Sequence, residues 1–178
     1  MVRKNACCLS RVGKTMPLLL ITIVIGLSSP AQCDIRNRIA PDGTMYYFLD
    51  AARFYYSSEK QLAGGLVTDK EHYFLTLLPA PFPERRLALK LKDPASVTLA
   101  NGKEYKLDNF SSRFNKDDSA FTMMFLVPPD VLEDFRKHDI ESVTLNMGKR
   151  EGSRTYQFSL HKSAFREHLA CFLDKKKD

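Results

Sequence analysis

The spacing of the turn signals constrains this chain most. Short apolar or aromatic runs stand at 45–49, 53–56, 66–68, 73–78, 87–91, 97–99, 105–107, 121–127, 142–145 and 155–160. The first two have the strand signature of short aromatic runs bounded by polar residues, and 87–91 reads as a strand from its alternation. Few of the connectors could hold a helix. Asp69-Lys70-Glu71 suits a hairpin, Asn101-Gly102 is the strongest short hairpin signal, and 149–152 is a further glycine-containing turn. A doubly wound parallel sheet needs a crossover helix between most strands, and this spacing leaves no room for them. The fold class expected is therefore mainly β: an antiparallel β-sandwich or partly open barrel.

Finer features follow from periodicity. Gly64-Gly65 is expected to interrupt the pattern, and Pro79, Pro81 and Pro83 make 79–83 a stiff extended loop that cannot sit in a central strand. The run 121–127 is apolar on both faces and predicts a central, doubly covered strand. In 45–49, alternation puts Tyr46 and Phe48 on one face and Tyr47 and Leu49 on the other. Two short helices are expected. The internal one, 130–137, has Asp130 as its cap and Val131, Leu132 and Phe135 as its apolar stripe. The C-terminal one, 163–173, has Phe165, Leu169 and Phe172 on its buried face.

Not all of the 178 residues are expected in the folded domain. Residues 1–31 read as a signal peptide: a basic start, the uncharged run 16–27, then Ser29 and Ala31 at the positions a signal peptidase reads. The apolar run is shorter than the roughly 20 residues a membrane helix needs, so a cleaved leader is expected, with no stable transmembrane span after cleavage. Residues 32–43 read as an extended N-terminal arm with a turn at Pro41-Asp42-Gly43, and 44–178 as one β-rich domain. The leader also accounts for most of the net charge of +6. It holds four of the 27 Lys and Arg and none of the 21 Asp and Glu, leaving 23 bases against 21 acids. Those bases are interspersed with acids, apart from Lys175-Lys176-Lys177, so no nucleic-acid footprint is expected.

Of four cysteines, Cys7 and Cys8 belong to the leader. Cys33 and Cys171 are left near the two ends of the domain. In an oxidising compartment they can close a disulfide; otherwise Cys171 is a small buried hydrophobe and Cys33 lies on the arm.

No run of residues in the chain forms a recognised catalytic or metal-binding motif. His168 and Cys171 stand at i, i+3, the one spacing that could bring a base to a thiol, but no third group is evident to orient it. Asp130, Glu133 and Asp134 fit the first turns of a helix better than a cation site. Asp117-Asp118 lacks the pattern of a calcium loop. No metal and no cofactor are expected. Asn109-Phe110-Ser111 is an N-glycosylation sequon by pattern.

The aromatic residues carry the functional expectation. Tyr47 and Tyr55, from the cluster at 46–56, and Phe82, held between prolines, are the candidate binding residues, because such rings offer rigid apolar faces. The expected protein is exported, periplasmic or extracellular. Its expected role is non-catalytic, binding or structural, with another protein or an envelope component as its partner. Two alternatives stand beside this: a small envelope hydrolase assembled from distant residues, and a carrier of a small apolar ligand in a β-barrel cavity.

Overall fold

The computed structural model describes residues 33–82, 90–115, 119–149 and 151–174. Its eleven strands are β1 (Arg36–Ile39), β2 (Met45–Phe48), β3 (Ala52–Tyr56), β4 (Gln61–Thr68), β5 (Tyr73–Ala80), β6 (Ala95–Leu99), β7 (Glu104–Leu107), β8 (Asn109–Phe114), β9 (Phe121–Val127), β10 (Ile140–Asn146) and β11 (Ser153–Gln157). Among the described residues two helices join them, α1 (Pro129–Lys137) and α2 (Ala164–Asp174). The fold is mainly β, and every pairing among the described residues is antiparallel.

One curled sheet runs β1-β2-β4-β5-β9-β8, with β3 also on β4; the other runs β11-β10-β6-β7. Three hairpins read from the sequence are present: β4–β5 across Asp69-Lys70-Glu71, β6–β7 across Asn101-Gly102, and β10–β11. Gly102 takes φ +82, the left-handed turn conformation that an Asn-Gly pair supplies cheaply.

The core forms because alternate residues face inward. In β6, Ala95, Val97 and Leu99 are buried while Ser96 and Thr98 are less so, and Val143, Leu145 and Tyr156 do the same in β10 and β11. They meet Phe54, Leu62, Leu66, Leu75, Leu77, Phe121, Met123 and Phe125 from the seven-stranded sheet. Each fully buried Leu or Phe of this kind contributes about 1.5–3 kcal/mol. Strand β9 is central and covered on both faces, as its composition predicts. Phe121, Met123, Phe125 and Val127 join the main core, while Met124 enters a second, smaller cluster with Tyr46, Val67 and Phe74. The alternation in β2 also holds: Tyr46 and Phe48 belong to the smaller cluster, Tyr47 and Leu49 to the main one.

Four expectations change. Gly64-Gly65 does not break the pattern but lies inside β4, where a Cβ on Gly64 would stand 2.1 Å from the Thr76 carbonyl oxygen of β5. Glycine is present because the backbones approach too closely for a side chain, not because the strand ends. Pro79 lies within β5, opposite Leu62 of β4. On the β9 side the pairing has already ended at Leu77, so proline meets no second ladder there. Asp130 does not cap α1: the cap is Pro128, with Pro129 in the first turn, where its missing N–H costs nothing. Within the expected arm, 36–39 is the edge strand β1, paired with β2.

Strand β8, at the other edge of the sheet, was not expected. It begins at Asn109, whose Nδ2 donates to Ser112 Oγ at 3.0 Å, so the sequon lies in a strand. The expected leader, the greater part of the expected strand 87–91, Asp117-Asp118 and the lysine tail lie outside the described residues.

Candidate functional site

The strand register lines up four side chains. Asn37 stands opposite Tyr47, Tyr47 opposite Thr68, and Thr68 opposite Tyr73, from β1 through β2 and β4 to β5. Directly opposed residues of antiparallel strands share a face, so these four form a row about 14 Å long at the usual interstrand spacing. Ile35, just before β1, and Phe172 of α2 add to the same groove, and Lys70 of the β4–β5 turn completes its lining. The groove has a volume of about 400 Å³.

Two features fix its walls. Cys33 and Cys171 lie at disulfide distance, S–S 2.00 Å and Cα–Cα 5.7 Å, across 138 residues of chain. Ile35 follows the first by two residues and Phe172 follows the second directly, so the pair sets both wall residues. The β4–β5 turn is equally well held. Thr68 Oγ1 donates to the His72 carbonyl at 2.7 Å and accepts the Lys70 N–H at 2.9 Å. Asp69 Oδ1 accepts the N–H groups of Glu71 and His72, and Asp69 Oδ2 lies 3.1 Å from His72 Nδ1. Partial burial of Asp69 works against its charge, but the hydrogen bonds from His72 and Glu71 prevail and hold its pKa low.

Lys70 sits in this turn at φ +82, its ammonium 4.9 Å from the centroid of the Tyr47 ring. A cation over an aromatic face is held by the ring's quadrupole. Among the described residues Lys70 has no carboxylate partner. Tyr47 donates its hydroxyl to Met45 Sδ at 3.0 Å. Tyr73 is buried, and burial pushes its phenol pKa up, so the hydroxyl keeps its proton and remains a donor.

The structure does not bring the three candidate binding residues together. Tyr47 is in the groove. Tyr55 packs edge-on to Tyr156 at 5.9 Å, with the Lys60 ammonium 5.4 Å and 5.3 Å from the two rings. Phe82 packs half-buried against Phe114 and Phe121, at 5.3 and 6.5 Å. Asn37, Thr68, Lys70 and Tyr73 were missed. A signal for two of them existed: a hairpin closing on Asp69-Lys70-Glu71 sets Thr68 beside Tyr73. For Phe172 the signal was the Cys33–Cys171 pair, which brings its neighbour on α2 to the residues before β1.

The residues weighed for catalysis have other partners. The Cys171 thiol is taken up with Cys33, and His168 Nδ1 faces the Leu66 N–H at 3.4 Å. Asp134 accepts from Lys103 at 2.7 Å and from the Tyr105 hydroxyl, and Glu133 pairs with Lys137 at 3.0 Å. Among the described residues no helix is long and apolar enough to cross a membrane. Compared with known family models, curated protein sequences and solved structures, the chain has no significant match.

Proposed function

We propose that residues 32–178 form an exported, non-catalytic binding domain whose partner is another protein of the cell envelope or its surroundings. One observation carries this reading. The groove opens beside β1, a sheet edge whose four residues are all exposed. An extended segment of a partner pairs its main chain with such an edge and sends alternate side chains to one face. Here that face holds the rings of Tyr47 and Tyr73. The leader supplies the export route, and a Cys33–Cys171 disulfide fits an oxidising compartment.

The test is affinity capture from envelope and culture-fluid extracts, with wild type and Tyr47→Ala as paired baits and partners identified by mass spectrometry. A stoichiometric protein held by wild type and lost from Tyr47→Ala agrees with the reading. A protein held equally by both, or none across a range of salt, counts against it.

The volume of the groove favours a second reading, a carrier of a small apolar ligand, since about 300–1,000 Å³ is the usual range for small-molecule pockets. Native mass spectrometry that finds a small molecule on the purified protein, displaced in Phe172→Ala, would favour it.

A further inference from the structure

The chemistry of the groove is uneven, and the unevenness bears on its occupant. Ile35, Phe172 and the rings of Tyr47 and Tyr73 make it largely apolar. Among the described residues its lining includes one cation, Lys70, held over Tyr47 and without a carboxylate partner among them. The lining also holds two neutral groups able to donate, the Asn37 amide and the Tyr73 hydroxyl, on residues at the two ends of the row. An ammonium in a largely apolar groove complements a ligand with one negative charge on an apolar body, because a charge-assisted hydrogen bond is stronger than a neutral one. Strand β1, which holds the groove's own Asn37, pairs only with β2 among the described residues, so main chain leading away from that charge has a strand to pair with.

Resting on the peptide-binding reading above, we propose that the groove receives the C-terminal residue of a polypeptide, its free carboxylate on Lys70 and an aromatic or large aliphatic side chain between Tyr47, Tyr73 and Phe172. The partner's preceding residues run along β1. The backbone of the turn that carries Lys70 is held by Thr68, Asp69 and His72, so little main-chain ordering remains to be done on binding.

The test uses dye-labelled peptides of about eight residues, randomised except for a C-terminal Phe, Tyr, Leu or Ile, made both as free acids and as amides. Binding to the purified protein is read by fluorescence anisotropy. The acids are expected to bind about tenfold more tightly than the amides, the size of one good charge-assisted contact. Lys70→Met is expected to remove that difference and leave the thermal midpoint where it was. Equal binding of acids and amides, no binding of either, or a difference that survives in Lys70→Met overturns the proposal. So does 3-phenylpropionate competing as well as the peptides, which would make the occupant a free organic acid. If the peptides fail while Tyr47→Ala still abolishes capture of a protein partner, the binding reading stands and this inference alone falls.

Discussion

His168 Nδ1 lies 3.4 Å from the backbone nitrogen of Leu66, and the same ring rests against Gly65. Strand β4 is paired with β3 up to Gly64 and with β2 from Val67, so Leu66 falls in the gap between two edge partners. A histidine from α2 thereby satisfies a main-chain donor that the sheet leaves open, and docks the helix as it does so. Accepting there requires the neutral ring with its proton on Nε2.

Acid should therefore loosen this contact. Burial is the main cause that holds the His168 pKa below its ordinary 6.5, against the weaker pull of Glu167 and Asp50. The unfolded chain takes up the proton first, so this contribution to stability is present above pH 6.5 and is lost as the pH falls below it. The wild-type thermal midpoint should fall between about pH 7.5 and about pH 5 by more than that of His168→Gln. Parallel curves for the two would remove His168 as the cause. At neutral pH, His168→Ala should destabilise by about 1–3 kcal/mol through the unsatisfied N–H.

Gly64→Ala is expected to be severe. An added Cβ meets the Thr76 carbonyl oxygen of the neighbouring strand, and backbone cannot give way as a side chain can. Overpacking of this kind costs about 1–3 kcal/mol or more. Gly65→Ala meets only the His168 ring at 3.2 Å, and should cost less. Urea unfolding of the two variants gives the comparison; equal losses would show that the strands can part at Gly64.

Removing the Cys33–Cys171 link should cost both stability and the groove. Closing 138 residues of separation is worth up to about 5 kcal/mol on chain-entropy grounds. The double variant Cys33→Ser/Cys171→Ser should unfold at lower urea, and should bind any groove ligand more weakly than an equally destabilised core variant does. Unchanged affinity would mean that Ile35 and Phe172 hold their places without it.

Phe54→Ala supplies that core variant. Its ring stacks on Phe158 at 4.3 Å, fully buried, and its carbonyl accepts the N–H groups of Ser159 and Leu160. The expected loss is about 3–5 kcal/mol, with ligand affinity per folded molecule unchanged.

The strands that alternate, the three short hairpins, the doubly covered β9 and both helices were legible because each depends on residues near one another in sequence. Pro79 and Gly64-Gly65 misled for a common reason. Both are read as breakers from local preference, yet each is accommodated by what lies across from it: a ladder that has already ended, and a carbonyl that leaves no room. The groove was legible only in part. Tyr47 announced itself as an aromatic in an aromatic run, whereas Thr68 and Asn37 are ordinary strand residues that matter because register sets them beside it. Tyr55 and Phe82 are aromatic like Tyr47, but they pack against Tyr156 and against Phe114 and Phe121, none of which lines the groove.

The meeting of Cys33 with Cys171 also decides how this protein can be handled. It puts Cys33 and Cys171 side by side, each next to a residue that lines the groove, Ile35 and Phe172. A tag joined close to Cys33 or to Cys171 would therefore start beside the groove, where it can mask a ligand or imitate one. An epitope inserted at the exposed Asn101-Gly102 turn, on the other sheet, labels the molecule from a site that shares no residue with the groove.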